Sequence, residues 1–414
     1  MSRGPVVPAT AVQIRKGNGH LLPHRAAPPR PRRLDSVDLL RGLAMVVMAL
    51  DHVRDFFTNV RFDPLDLSQT TPLLFFTRWI THNCAPVFVF LAGTGAFLYL
   101  NRGGRTRSDL AKFLLSRGIW LVFLELTVVR FGWLFNLDYS MMLGQALWVV
   151  GWSMVALSGL IFLPRRALAL VSIGLIALHN LTDSIDPGAF GHFGWIWQIL
   201  HYAGQIPWGD GNVFLVVYPL LPWIGVIGAG YLFGITFFEE EGVRHRKMYT
   251  LGFILIAGFI FFRALNLYGD PHSWSVQAPH VKTFLSFLNT TMSPPSLLYL
   301  MMTLGPAIAI LPFLERREGK LARFITVFGR VPLFYYVLHL YLIHLLALIA
   351  ARHTVGSFRF LVSNVPQEAY PASYGFPLWE ICLIWIAVLF LLYYPCKWYG
   401  DAKRKSNNPL VSYL

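Results

Sequence analysis

Ten apolar stretches, each near the length of a membrane-crossing helix, constrain this chain more than any other feature. A hydrocarbon core about 30 Å thick needs about 20 apolar residues in a helix. The stretches lie at 36–57, 72–100, 112–133, 141–163, 166–182, 212–237, 248–266, 295–314, 321–350 and 377–395. The chain is also 55% hydrophobic and only 14% charged, which excludes an ordinary soluble domain. The sequence therefore predicts an all-α fold, a polytopic integral membrane helix bundle of about ten transmembrane helices.

The Lys and Arg residues are divided unevenly between the connections that join these stretches. With the amino terminus in the cytoplasm, the cytoplasmic connections hold 24 of them, and the outer connections hold four, namely Arg61, Lys282, Arg352 and Arg359. Cytoplasmic loops of membrane proteins carry such an excess. We therefore expect both termini to be cytoplasmic in a multi-pass membrane protein. The net charge of +14 is therefore explained by orientation in the membrane and does not indicate nucleic-acid binding.

Composition divides the chain into three parts. Residues 1–34 are rich in Pro and Arg and predict a disordered basic cytoplasmic tail. Residues 35–396 contain all the apolar stretches and form the predicted transmembrane domain, and residues 397–414 are a second basic tail. Three scattered cysteines and the absence of zinc-type spacing predict no metal site.

The first apolar stretch carries two ionisable residues on one face. Arg41 and His52 are 11 positions apart, which is roughly 20° beyond three full helical turns and about 16 Å along the axis. Asp38 lies three residues before Arg41 and is placed to pair with it. Arg41 could be a cytoplasmic anchor that extends toward the interface. His52 lies deeper, where an ionisable side chain is costly unless it faces a polar cavity, so we interpret it as functional.

The second stretch brings two more such residues to a similar depth. Arg78 and His82 are four apart, hence on one helix face, about two turns inside the outer boundary. We therefore predict that His52, Arg78 and His82 converge. The alternative is a buried polar knot that only holds helices together. Asp51 points about 100° away from His52 and is not expected to orient it.

Other polar and small residues within the stretches are expected to be structural. Glu125 and Arg130 are five apart and should pair with neighbouring helices. His339 and His344, also five apart, should form helix–helix hydrogen bonds, and the alternative is that one of them lines the cavity. Five glycines are interpreted as positions of close helix packing: Gly93, Gly95, Gly225, Gly228 and Gly230.

Four segments together resemble a known family. They are SVDLLRGLAMVVMALDH, CAPVFVFLAGTGAFL, YPLLPWIGVIGAGYLFG and FGRVPLFYYVLHLYLIH, and they resemble bacterial members of the heparan-alpha-glucosaminide N-acetyltransferase catalytic-domain family. The broader transmembrane acyltransferases carry arginine and histidine separated by ten residues in the first helix, as Arg41 and His52 are here. The resemblance implies a membrane enzyme that moves an acyl group, usually acetyl, from cytosolic acetyl-CoA or another acyl-CoA to an extracytoplasmic sugar or glycan. It also implies a location in a bacterial inner (plasma) membrane.

The chain departs from the lysosomal heparan enzymes at two places. Those enzymes have asparagine where this chain has His52, and they place an essential histidine after the first helix. The corresponding segment here, NVRFDPLDLSQ, contains Asp63 and Asp66 but no histidine. The heparan substrate is therefore not carried over, and the base could be His52 or a residue after the first helix.

These considerations give a hypothesis for the roles of the site residues. His52 would act as general base or transient acyl carrier, and Arg78 and His82 would stabilise charge or hold the acceptor. Arg41, with Asp38 beside it, would contact the acyl-CoA. The outer connections would select the acceptor through three residues, Trp208, Asp210 and His272. Two other classes remain open: a transporter that uses the same polar cluster, and a structural membrane protein in which the cluster only fixes packing.

Overall fold

The fold is a helix bundle, seen in a computed structural model that describes residues 32–406. Its α-helices within that range, in chain order, are α1 (Arg32–Phe57), α2 (Pro72–Thr81), α3 (Cys84–Leu100), α4 (Arg107–Leu124), α5 (Arg130–Leu134), α6 (Ala146–Leu160), α7 (Arg165–Leu178), α8 (Gly194–Leu200), α9 (Leu221–Phe233), α10 (Glu241–Leu265), α11 (His280–Leu288), α12 (Leu297–Glu315), α13 (Lys320–Arg330), α14 (Pro332–Thr354) and α15 (Leu378–Lys405). The prediction of a predominantly helical bundle is confirmed.

In the described part of the chain, one small sheet accompanies the helices. Its strands are β1 (Met141–Gly144), β2 (Gly204–Trp208) and β3 (Asn212–Val216), in the order β1-β3-β2. Strands β2 and β3 form an antiparallel hairpin, and β1 runs parallel to β3 with Met141 opposite Val213. The hairpin turn needs the positive φ of Gly209 (58°) and Gly211 (76°), which glycine adopts without steric cost. Sequence analysis did not anticipate these strands, since 141–144 and 212–216 were placed at the starts of apolar stretches.

Helix α1 lies at the centre of the bundle, packed against α3, α12, α13, α14 and α15. Glycine allows helices α3 and α9 to approach closely. A Cβ at Gly93 would lie 2.0 Å from the carbonyl oxygen of Ile227, and one at Gly230 would lie 2.0 Å from that of Phe90. Close packing is also confirmed at Gly225 and Gly228. The prediction is wrong for Gly95, where a Cβ would meet no atom within 4 Å in the described part of the chain.

Between residues 32 and 406, six helical segments are long and apolar enough to cross a membrane, and a bent pair raises the number to as many as seven. The six are 72–100, 221–238, 241–265, 297–315, 332–354 and 378–405, and the bent pair joins 165–182 to 187–200 at 109°. The protein is therefore a multi-pass integral membrane protein. The predicted total of about ten spans and the predicted orientation stay predictions.

The structure divides several predicted stretches. The stretch 321–350 consists of α13 and α14, which meet at Val331 just before Pro332. Proline fixes its own φ and restricts the preceding residue to extended backbone, so a helix readily starts there. Of the two predicted tails, residues 32–34 begin α1 and 397–405 continue α15. The rest of those tails, 1–31 and 407–414, lies outside the described residues.

Candidate active site

A carboxylate on α1 organises the polar interior of the bundle. Asp51 accepts hydrogen bonds from Arg54 one turn further along α1, from Nη1 of Arg78 on α2 at 2.5 Å, and from Oγ1 of Thr81 at 3.0 Å. Arg54 is buried and also bonds Asp55 at 3.1 Å through the same nitrogen, Nη2. Two arginines and two aspartates thus balance in charge, as charges removed from water require. Asp51 therefore joins α1 to α2.

The break between α2 and α3 positions a second group, His82. An uninterrupted helix would satisfy the carbonyl of His82 with the N–H of residue 86, but residue 86 is proline and has none. The hydroxyl of Tyr299 on α12 donates to that carbonyl instead, at 2.7 Å, and its ring stands edge-on to His82 with centroids 5.5 Å apart. The His82 side chain is buried, yet neither ring nitrogen has a hydrogen-bond partner within residues 32–406. An unpartnered buried imidazole has hydrogen-bonding capacity available for a substrate.

His52 faces into the bundle. Its ring lies 4.8 Å from that of Trp133 on α5 and 5.1 Å from that of His339 on α14, measured between centroids. Its Nδ1 is 3.9 Å from Oδ2 of Asp55. We call Asp51, His52, Arg54, Asp55, Arg78 and His82 the arginine–histidine cluster. Because His52 faces the bundle interior and not the lipid, its position is compatible with a functional role.

The arginine–histidine cluster is open to water-sized molecules. The accessible fraction of the side chain is 13% for His52, 23% for Arg78 and 34% for Asp55. Arg78 uses only Nη1 in hydrogen bonds, so its other guanidinium nitrogens have no partner in the described chain. A purely structural polar knot would be sealed and fully paired. This cluster has accessible side chains and unused donors.

The convergence of His52, Arg78 and His82 predicted from their depth agrees with this geometry. His52 interacts electrostatically with Arg78 and Arg54, and His82 does so with Arg78, Asp51 and Arg54. Arg78 reaches His52 through Asp51, the residue that sequence analysis set aside. One signal could have found Asp51: a carboxylate inside an apolar stretch needs cationic partners, and Arg54 lies one turn away.

Tyr218 is a second residue that sequence analysis missed. It follows β3 and lies close enough to Arg78 and Asp51 to interact with both electrostatically. Its ring packs on Trp223 at the start of α9, with centroids 5.7 Å apart. Tyr218 therefore connects the small sheet to the arginine–histidine cluster. No local pattern in the sequence indicates this, because the contact depends on how β3 is placed.

The histidines of α14 behave differently from each other. His344 bonds the carbonyl of Gly132 on α5 through Nδ1 at 2.9 Å, which confirms the predicted helix–helix hydrogen bond. For His339 that prediction is wrong, because its Nδ1 bonds the carbonyl of Tyr335 in its own helix at 3.0 Å.

Glu125 and Arg130 are structural, as predicted, but the predicted pairing with a neighbouring helix holds for Glu125 and is wrong for Arg130. They bracket a π-helical turn, Glu125–Val129, between α4 and α5. Glu125 accepts a hydrogen bond from the backbone N–H of Leu147 at 2.8 Å, near the amino end of α6. Arg130 donates to the backbone carbonyls of Met141, Asn136 and Asp138, which fixes the connection that leads into β1.

The proposed acyl-CoA contacts lie in the amino half of α1. Nη1 of Arg41 bonds Oδ1 of Asp38 at 3.3 Å, which confirms the predicted pair, and it also bonds the carbonyl of Gly329 at 3.3 Å. Arg330 approaches Asp38 at 3.9 Å and pairs with Asp35 at 3.2 Å. Helix α13 thus packs against the amino half of α1. The role of Arg41 and Asp38 in binding acyl-CoA stays a prediction.

The three residues expected to select an acceptor are exposed but separate. Trp208 ends β2, and Asp210 lies in the hairpin turn between Gly209 and Gly211. His272 lies in the connection before α11, where its Nδ1 meets Oγ1 of Thr291 at 3.0 Å. No hydrogen bond or ion pair within residues 32–406 joins Trp208 or Asp210 to His272. Their predicted role stays a prediction.

The segment after α1 forms turns. Asp63 and Asp66 accept hydrogen bonds from the backbone N–H groups of Leu65 and Ser68, each at 2.9 Å. Bonds from the side chains of Ser68 and Gln69 hold the pKa of Asp66 below its usual value, which makes it a weaker base. In the part of the chain that is described, neither aspartate bonds to the arginine–histidine cluster. The assignment of the base stays a prediction.

The residues described do not offer a metal site. No group of three or more His, Cys, Asp or Glu side chains between residues 32 and 406 is arranged to hold a metal ion.

The fold and this site define a multi-pass membrane protein with an accessible polar centre inside its helix bundle. The sequence profile described as "Heparan-alpha-glucosaminide N-acetyltransferase, catalytic" matches residues 33–268, more than half of the chain. The chain belongs to this family, and is an acetyltransferase-like membrane enzyme. The curated proteins include no significant match to it.

Proposed function

We propose that this protein transfers an acetyl or other acyl group from cytosolic acyl-CoA to an extracytoplasmic sugar or glycan, with the chemistry at the arginine–histidine cluster. The family match from 33 to 268 supports acetyl transfer and includes every member of the cluster. One observation carries the proposal: several buried nitrogen atoms of the cluster have no hydrogen-bond partner in the described chain. They are both ring nitrogens of His82, Nδ1 of His52 and Nη1 of Arg54.

The proposed step uses His52 as general base. One of its ring nitrogens takes the proton of the acceptor hydroxyl or amine while the acceptor oxygen or nitrogen bonds to the thioester carbon. Negative charge grows on the thioester oxygen, where the unengaged nitrogens of Arg78 and a ring N–H of His82 can donate. The carbon–sulfur bond then breaks, and the coenzyme A thiolate takes the proton back from His52. In a two-step variant, His52 carries the acyl group between donor and acceptor.

The two substrates would reach the cluster from opposite ends of α1. On the cytoplasmic side we propose that Arg41 and Asp38 contact the phosphates or pantetheine of acyl-CoA, since arginine binds phosphate through a planar set of donors. On the outer side we propose that Trp208, Asp210 and His272 hold the acceptor. The hairpin that carries Trp208 and Asp210 continues through β3 to Tyr218, which gives a short route from its tip to Arg78. The partners are thus the bilayer, acyl-CoA and a glycan.

The test uses the full chain in lipid nanodiscs with radiolabelled acetyl-CoA and a panel of neutral and amino sugars. We expect wild-type protein to label at least one sugar and His52→Ala to lose labelling at unchanged abundance in the membrane. His353→Ala, an exposed histidine at the end of α14, is the matched control and should keep full activity. Equal labelling by His52→Ala and wild type would reject the role of His52. Label that stays on the protein when sugar is withheld would indicate the covalent route.

A further inference from the structure

One carboxylate of the arginine–histidine cluster keeps an oxygen unused. Oδ1 of Asp55 accepts a hydrogen bond from Nη2 of Arg54 at 3.1 Å. Its Oδ2 is accessible to water-sized molecules and has no hydrogen-bond partner in the described chain. That oxygen lies 3.9 Å from Nδ1 of His52. A polar group bound to Oδ2 would therefore lie beside the proposed base.

The connection between α14 and α15 is fixed over the carboxyl end of α1. Arg61, which follows α1, donates to the carbonyl of Tyr374 at 2.6 Å. The hydroxyl of Tyr374 donates to the carbonyl of Phe56, and the backbone N–H of Phe376 donates to that of Phe57, each at 2.8 Å. Since these two carbonyls belong to the last turn of α1, the connection has a fixed position next to the arginine–histidine cluster.

Tyr370 lies in this connection and has an unused hydroxyl. Its ring contacts the guanidinium of Arg61, 5.8 Å from the ring centroid, and the ring of Phe360, 5.0 Å away between centroids. The hydroxyl is accessible and has no hydrogen-bond partner within residues 32–406. Tyr370 also lies close enough to Asp55 for the two side chains to interact electrostatically. Burial raises the pKa of Tyr370 to about 12, so the hydroxyl stays protonated and can donate.

We propose that Asp55 and Tyr370 form the subsite that holds the acceptor: Oδ2 of Asp55 accepts a hydrogen bond from one hydroxyl of a sugar ring, and the Tyr370 hydroxyl donates to a second sugar oxygen. A carboxylate only accepts and a protonated phenol donates, so the pair matches a sugar ring, whose hydroxyls do both. With one hydroxyl held at Oδ2, the adjacent hydroxyl or amine of the ring is presented to His52. The inference rests on the proposed function and narrows the acceptor to sugars with a free hydroxyl next to the group that is acylated.

The experiment measures sugar binding without an acyl donor, and acyl transfer in parallel, on full-length protein in nanodiscs. The probes are methyl glucoside, methyl glucosaminide and the monodeoxy derivatives of each, and binding is followed by saturation-transfer NMR. Asp55→Asn removes the charge but keeps an oxygen that can face Arg54, and Tyr370→Phe removes only the hydroxyl. Tyr374→Phe is the matched control, because the Tyr374 hydroxyl bonds the backbone of α1. Glu368→Gln, at an exposed position in the same connection, controls for loss of charge.

We expect Asp55→Asn to weaken sugar binding and to raise KM for the sugar about 10- to 100-fold, because a hydrogen bond to a charged group is lost. Tyr370→Phe should give a smaller rise of about 3- to 10-fold, since a neutral hydrogen bond contributes less. KM for acetyl-CoA should not change in either variant. Tyr374→Phe should lower the unfolding midpoint and leave sugar affinity unchanged, and Glu368→Gln should change neither.

The monodeoxy sugars identify the contact itself. Wild type should bind one of them more weakly than its parent sugar, and Asp55→Asn should bind that derivative and the parent equally, because the missing hydroxyl no longer has an acceptor. Wild-type sugar affinity in Asp55→Asn or in Tyr370→Phe would overturn the proposal. So would an Asp55→Asn protein that still discriminates against every derivative as wild type does.

Binding and transfer together separate this inference from the proposed function. If wild type binds a sugar but transfers no acyl group, acyl transfer fails, and the binding data alone decide the subsite. If wild type transfers acyl groups and both variants match it in sugar KM and affinity, acyl transfer stands and the subsite fails. Wild type that neither binds nor acylates any probe overturns both. If Asp55→Asn does not assemble, Asp55→Glu, which keeps the charge but displaces the carboxylate, is used with the same criteria.

Discussion

Two buried clusters of charge in this bundle look alike in composition and differ in how completely their hydrogen bonds are used. The second, which we call the glutamate triad, consists of Arg244, His245 and Glu315. Glu315 accepts from Nε and Nη2 of Arg244 at 3.1 and 2.8 Å and from Nε2 of His245 at 2.8 Å. The remaining Arg244 nitrogen, Nη1, bonds the carbonyl of Glu239 at 2.9 Å.

The arginine–histidine cluster has the same kinds of side chain but leaves nitrogen atoms of His52, Arg54 and His82 without partners in the described chain. The two clusters lie at opposite ends of α12, since Tyr299 contacts His82 and Glu315 lies 16 residues further on, about 24 Å along the axis. A buried ionisable group alone is therefore a weak indication of function. Unused hydrogen-bonding capacity is the stronger indication, because structural networks become stable by pairing every group.

The largest effect should follow from removing the carboxylate that holds the arginine–histidine cluster. Asp51→Ala would leave Arg54 and Arg78 without their shared counter-ion, and breaking a buried ion pair by removing one partner costs about 3–5 kcal/mol. We expect a large loss of folded protein and of acyl transfer, measured by size-exclusion chromatography, thermal unfolding and labelling. Asp51→Asn, which keeps an acceptor oxygen, should recover part of the folded protein. Wild-type stability in Asp51→Ala would contradict the assignment of Asp51 as the centre of the cluster.

Arg78→Lys should reveal the unused donors of the cluster with little effect on stability. A lysine can retain the ion pair with Asp51, but it lacks the planar fork whose other nitrogens are unengaged. If those nitrogens stabilise the developing oxyanion, kcat should fall about 10²- to 10³-fold while the thermal midpoint stays near that of wild type. Arg130→Lys is an informative comparison, because every bond of Arg130 goes to a backbone carbonyl, and it should lower stability more than kcat. A large loss of stability with unchanged kcat in Arg78→Lys would make Arg78 structural.

Glu315→Gln should lower stability rather than kcat, since both oxygens of Glu315 and all three guanidinium nitrogens of Arg244 are hydrogen-bonded. The amide keeps acceptor capacity on one atom but removes the negative charge that faces Arg244 and His245. A group left buried with its bonds incomplete costs about 1–3 kcal/mol, so the unfolding midpoint should fall while kcat and KM of the surviving protein stay at wild-type values. Glu318→Gln, at an exposed position three residues on, is the control and should change neither. A loss of kcat without a loss of stability would contradict this prediction and indicate that the glutamate triad takes part in catalysis.

The difference between the two clusters also shows what the sequence could predict. Depth and spacing were enough to bring His52, Arg78 and His82 together, because α1 and α2 are consecutive and antiparallel. They could not predict that Asp51 links them, since the rotation of α2 about its axis decides which residue meets Arg78. The contact of His339 with His52 depends on α14, nearly 290 residues later in the chain, and on the break at Val331. The three strands escaped detection because short apolar strands look like helix ends when periodicity alone is used.

The smallest effect concerns Arg41, near the predicted cytoplasmic end of α1. It tests whether acyl-CoA binds at that end. Its Nη1 is engaged by Asp38 and by the carbonyl of Gly329, so the comparison of the two clusters favours a structural role, whereas the proposed function assigns it to acyl-CoA. If it binds the donor equally in ground and transition states, Arg41→Ala should raise KM for acetyl-CoA about tenfold and leave kcat unchanged. Arg330→Ala removes a neighbouring cation that also approaches Asp38 and tests whether positive charge alone is needed. A lower unfolding midpoint with wild-type KM in Arg41→Ala would assign Arg41 to helix packing and move the donor contact elsewhere.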